Sequence, residues 1–289
     1  MAFNKSQKNY KYFNRNAIIS RGQLFHLPMP YQVSGDIRLC HVKDTFTIFG
    51  ILISELLQHG LLVGRSGAGK TNVLRIIQLE LYRLGIPFLA FDLAKYNTRY
   101  LKQYIPELVI LRWDKEFYMN VFEPPEGVSV KEWLLTFCEV TSEVFGLFAA
   151  SKSLLIELVE SLYKKFDSEN THNFPTLSDF SNALIQKRIK TKSRIDIDYI
   201  DRVKNKFTAI NITLGPSLNV KSGIPIKELL QCPVCFELVG INSSEIQTWI
   251  VTLIMAWIAL YRSRQSGLGE LKHVIFYDEA AKAFGKNIQ

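Results

Sequence analysis

Cysteine is scarce, with four in 289 residues, which excludes a disulfide scaffold and suits a reducing, cytoplasmic setting. Cys232-Pro-Val-Cys235 is a CxxC pair, while Cys40 and Cys138 stand alone, so spacing assembles no four-ligand zinc set. The expectation is inert buried thiols, with zinc and redox chemistry as alternatives. Long apolar runs are also missing. The most apolar stretch, 246–260, is shorter than the roughly 20 residues of a membrane span and contains Gln247, Thr248 and Thr252. It reads as a buried helix, and no membrane segment is expected. The polar, basic start Met1-Ala2-Phe3-Asn4-Lys5 gives no expectation of a signal peptide. There is no internal repeat and no low-complexity tract.

Hydrophobic residues make up 47% of the chain, enough for a sizeable core and too many for disorder. The formal charge of +8 suits a polyanion such as DNA, or simply a solvated basic surface.

One stretch organises the rest. Leu61-Leu62-Val63 reads as a strand running into Gly64-Arg65-Ser66-Gly67-Ala68-Gly69-Lys70-Thr71, the G-x-x-x-x-G-K-[ST] spacing of a phosphate-binding loop. Glycines at 64, 67 and 69 let the backbone turn its N–H groups towards one point. The start of the following helix adds its dipole. Gly64 through Asn72 are the expected nucleotide contacts. Lys70 would reach the β- and γ-phosphates, and Thr71 would hold Mg²⁺.

Around this loop the chain divides into four stretches. Residues 1–45 form an irregular arm with one or two strands. Its Lys8-to-Tyr12 mix suits nucleic-acid stacking or a mobile terminus. Residues 46–125 hold the first part of an ATPase core. Val73, Leu74, Ile77, Leu81 and Leu84 mark a helix, and Phe88-Leu89-Ala90-Phe91 a strand ending at Asp92. That order is a βαβ unit and implies a parallel sheet. A further strand is expected at 108–111. Residues 126–220 are a helical insertion, with helices at 130–148, 151–166, 177–189 and 197–210. Residues 221–289 return to the sheet with strands at 235–239 and 273–277, separated by the apolar helix with Ser243 and Ser244 as capping candidates.

The last strand runs into Asp278-Glu279, a Walker B arrangement. Asp278 would hold Mg²⁺ through a water, and Glu279 would orient and polarise the attacking water. Glu279 and Lys70 are therefore the candidate catalytic residues, Thr71 and Asp278 the metal residues, and ATP with Mg²⁺ the cofactors.

The Gly64–Thr71 loop with His59-Gly60 before it resembles the HerA/FtsK superfamily of motor ATPases. Asp92-Leu93-Ala94-Lys95-Tyr96, Asn120 to Val128, Phe174 to Asp179, Pro233 to Leu238 and His273 to Ala280 resemble HerA-like ATP-binding proteins in particular. The resemblance implies an α/β fold with a RecA-like P-loop core, a mostly parallel sheet and a helical insertion. It also implies a hexameric ring that moves double-stranded DNA. The sequence departs from the family in keeping only Asp92, Lys95 and Tyr96 of the Asp-x-Lys-Gly-Glu-Tyr pattern, so Asp92 also reads as a plain strand-end residue. Ala280-Ala281 replaces a common Ala-His, and no HerA-type N-terminal β-barrel is recognisable. Ten residues follow Glu279, where the family places further core strands, so the expectation is an incomplete core, weak ATPase activity in isolation, and an arginine finger from a neighbouring subunit.

Lys187, Arg188, Lys190, Lys192, Arg194, Arg202, Lys204 and Lys206 cluster in the insertion. They suit a DNA-gripping pore loop or a solvated surface. The competing functions are a conjugation or secretion ATPase, an assembly module holding a partner nuclease or effector in a ring, and a small-substrate kinase.

Overall fold

The computed structural model describes residues 30–43, 45–65, 67–265 and 269–278. The chain divides into two units between Glu55 and Leu56. In the first, β1 (Ile37–His41) and β2 (Ile48–Ile51) pair antiparallel, with Ile37 opposite Ile51 and His41 opposite Ile48. A shift between Arg38 and Cys40 marks a bulge. The Thr45 hydroxyl donates to the Val42 carbonyl at 2.9 Å and accepts from the Thr47 amide at 3.1 Å, closing the turn.

The second unit is built on four parallel strands: β3 (Phe88–Asp92), β4 (Val109–Arg112), β5 (Val234–Glu237) and β6 (Val274–Tyr277). Their order is β4-β5-β3-β6. Parallel strands are covered on both faces and read as unbroken apolar runs; every residue of β3 and β5 is buried. Phe91 lies opposite Phe236 on one side and Tyr277 on the other. Their rings stack at 5.5 and 5.2 Å between centroids, a ladder that fixes the register of three strands.

This face packs on a helical layer. Its helices are α2 (Val130–Phe145), α3 (Ala149–Phe166), α4 (Leu177–Lys190), α5 (Arg194–Leu218) and α6 (Ser244–Ser263). Side chains cap the helices as the sequence pattern requires. Ser129, Ser193 and Ser243 each accept from the amide three residues on, and Thr176 and Asp179 form a reciprocal capping box. α5 is longer than the expected 197–210. Ser193 starts it early, and it runs on through Gly215 and Pro216. A proline in a final turn loses one amide bond without ending the helix at once.

α6 is a 20-residue helix, longer than its apolar window and long and apolar enough to cross a membrane. Here it is a core helix: Trp249, Ile250, Leu253 and Ile254 are fully buried. The Trp249 indole N–H donates to the Thr141 hydroxyl at 3.1 Å. Its ring lies among Phe137, Phe145 and Phe207.

The opposite face of the sheet meets α1 (Lys70–Arg83), which anchors Leu81 and Gln78. Val73, Leu74 and Ile77 are only half-buried. The expected strand Leu61-Leu62-Val63 is a correction: the segment is irregular, with Leu61 81% and Val63 76% exposed. A strand needs a neighbour for its N–H and C=O groups. Among the described residues nothing pairs with this segment, and β6 is bonded on the β3 side alone.

The four cysteines are free. Burial pushes the thiols of Cys138 (to about 12), Cys232 and Cys235 up, as expected of inert core sulfur.

Truncating Trp249 to alanine opens a cavity where α2, α5 and α6 meet and should cost about 3–5 kcal/mol in urea unfolding. His273, just before β6, has neither ring nitrogen bonded among the described residues. Burial, aided by the Arg262 charge, lowers its pKa to about 4. An unfolded histidine titrates near 6.5, so protonation favours the unfolded chain. Stability should fall as pH drops from about 6.5 to about 4, and His273→Phe should flatten that slope in denaturant midpoints taken across this range.

Candidate functional site

The glycine loop reaches its shape through two residues with positive φ, Gly67 at 78° and Gly69 at 87°. A side chain at either would strain the backbone. Gly69 sits at the N-terminus of α1, and the Ala68 amide closes a turn on the Arg65 carbonyl at 3.1 Å. The Lys70 ammonium folds back over its own loop, donating to the carbonyls of Gly64 at 2.7 Å and Arg65 at 3.1 Å. These exposed bonds hold the cation at the loop. Thr71 is half-buried in the first turn of α1, and Asn72 is exposed. Ser66 and Glu279 lie outside the described residues.

The second half of the site is a row of carboxylates at the C-terminal ends of the strands, where ligands of open parallel sheets bind. Asp92 pairs in register with Glu237, and Phe91 with Tyr277, so Asp278 continues the row on β6. Thr71 and Asp278 line one small cleft, together with Arg75 and Gln78 of α1 and with Asp92 and Asn97. The two ends of the expected magnesium site, about 200 residues apart in sequence, thus share one cavity. A hydroxyl and a carboxylate are hard oxygen donors suited to Mg²⁺, so the residues present fit that ion.

Three successive residues after β3, where a short 3-10 helix (Thr98–Gln103) begins, each reach a different acid of the row. The Asn97 amide donates to Asp278. Thr98 gives Asp92 both its backbone N–H and its hydroxyl, each at 2.8 Å. Arg99 grips Glu237 with two guanidinium nitrogens, Nε at 2.7 Å. Tyr96 lies under the Arg99 guanidinium, 4.1 Å from the ring centroid. Burial pushes the Asp92 carboxyl above its ordinary range, opposed by the Thr98 bonds and reinforced by the charges of Glu237 and Asp278.

Asp92 and Glu237 are fully enclosed and their oxygens are occupied, so they act as anchors. Asp92 as a plain strand-end residue is the reading that fits this geometry. Sequence reasoning missed Glu237, Asn97 and Arg99 as members of the site. One signal was present: a carboxylate inside the apolar run Cys235-Phe236-Glu237-Leu238 demands a buried cationic partner.

Three members of the basic cluster form ion pairs. Lys187 pairs with Glu157 at 2.6 Å, Arg188 with Asp201 at 2.9 Å and Lys206 with Glu245 at 2.9 Å.

Arg99→Ala should leave the Glu237 charge buried without its counter-ion and cost about 3 kcal/mol in denaturant unfolding. Arg99→Lys should recover only part, because one ammonium cannot form the two-pronged contact.

No protein-family model matches the sequence, and no curated protein matches it. Among solved structures, VirB4 of Thermoanaerobacter pseudethanolicus is similar, with a TM-score of 0.62 at 13% identity. The similarity covers 86% of this chain and 68% of that one. With its parallel four-stranded sheet, flanking helices and glycine loop, the chain has the mixed α/β, RecA-like fold of the P-loop ATPases.

Proposed function

We propose that the chain is the nucleotide-binding core of a P-loop ATPase that moves macromolecular cargo in conjugation or secretion. The observation that carries this reading is the cleft shared by Thr71, at the start of the loop helix, and Asp278, at the tip of β6. The likeness to VirB4 favours a conjugation or secretion ATPase over a HerA/FtsK-type pump of double-stranded DNA.

Bound Mg²⁺–ATP supplies the scissile phosphoanhydride and the charge that the site must neutralise. The protein's part is to bind and orient. Backbone amides of the glycine loop would hold the phosphates. Lys70 would give up the Gly64 and Arg65 carbonyls for phosphate oxygens. Thr71 and Asp278 hold the magnesium end, and Glu279 takes the role of polarising the attacking water. Turnover at a useful rate calls for an arginine from a neighbouring subunit of a ring, worth roughly 10³–10⁵ in rate. The HerA/FtsK DNA pump remains the second reading, on the strength of the motif resemblance around the glycine loop.

Fluorescent ATP should bind the chain in the presence of Mg²⁺, and Lys70→Ala should weaken that binding at least tenfold. Equal binding by wild type and variant would overturn the site assignment. Strong stimulation of hydrolysis by double-stranded DNA would return the DNA pump to first place.

A further inference from the structure

We propose that Asn97 is a positioning residue for Asp278, fixing which of its carboxylate oxygens is offered to magnesium. This rests on the nucleotide-site reading above and adds a residue to it. Asn97, Thr98 and Arg99 each bind one acid of the row, but their chemistry differs. Arg99 neutralises Glu237 with a full positive charge, and Thr98 occupies both oxygens of Asp92. Asp278 receives an uncharged amide on Oδ2. A neutral donor orients a carboxylate without cancelling its charge, which a metal ligand must keep. A guanidinium at position 97 would compete with the cation instead.

Asn97 is itself held from behind. Its backbone carbonyl accepts from Arg75 Nε at 3.2 Å and Nη2 at 3.0 Å, and its backbone N–H donates to the Lys95 carbonyl at 3.0 Å. Arg75 stands one turn beyond Thr71 on α1, so both residues lie on the same side of that helix. The helix that begins at the glycine loop therefore sets the position of Asn97, and Asn97 sets Asp278. Thr71 and Asp278, the two magnesium residues of the reading above, are linked by this bridge before nucleotide arrives.

The test is a magnesium titration of fluorescent-ATP binding by the 289-residue chain, with a parallel titration in EDTA. Partners that orient metal ligands typically change metal affinity by about 10–100-fold. Asn97→Ala should raise the Mg²⁺ concentration for half-saturation about tenfold, and leave metal-free binding and the melting temperature unchanged. Arg75→Gln removes the bonds behind Asn97 and should shift the same parameter in the same direction by less. An unchanged magnesium requirement in both variants overturns the inference alone, as does an equal loss with and without the metal. Wild-type chain that binds no nucleotide in any magnesium concentration overturns the site reading and this inference with it.

Discussion

Lateral register within the parallel sheet is the constraint on which the site depends. Phe236, Phe91 and Tyr277 stack across β5, β3 and β6, so these strands can align in only one way without losing the ring contacts. A one-residue slip would turn each strand's alternate side chains to the wrong face. In the observed alignment the apolar rings enter the helical core, and the next residues along β3, β5 and β6 are all carboxylates.

That row of acids would repel itself if left bare. Burial pushes the Asp92 carboxyl up, and the neighbouring charges of Glu237 and Asp278 add to that push. The start of the 3-10 helix after β3 resolves the conflict locally, with one donor residue for each acid. Two acids become structural anchors, and Asp278, in the cleft it shares with Thr71, receives an uncharged amide. The division of labour comes from the donors, because the acids themselves are chemically alike.

The helical layer serves the site at a distance. Trp249 and the phenylalanines around it hold α6 against α2, and the face of β5 that carries Phe236 packs on this layer. Gln247 of α6 donates to the carbonyls of Leu93 and Leu238, both at 3.0 Å, tying the first turn of that helix to the residues that follow β3 and β5. Packing on one face of the sheet thus steadies the strand ends on which the acids sit.

The sequence by itself determined the glycine loop, Asp278 after an apolar strand, the apolar strands of the parallel sheet and the run of helices between β4 and β5. Each is a local pattern of spacing or periodicity that the backbone must obey wherever it lies. Helix starts were legible at Ser129, Thr176 and Ser243 but not at Ser193, and α5 ran past 210 because Leu214 and Leu218 are buried in the core. The apolar Leu61–Val63 segment read as a strand, but a strand exists only beside a partner, and that depends on the sheet. Tertiary structure alone decided that Asn97, Thr98 and Arg99 meet three separate acids up to 181 residues away. Such pairings rest on strand order and register, which no local run of residues encodes.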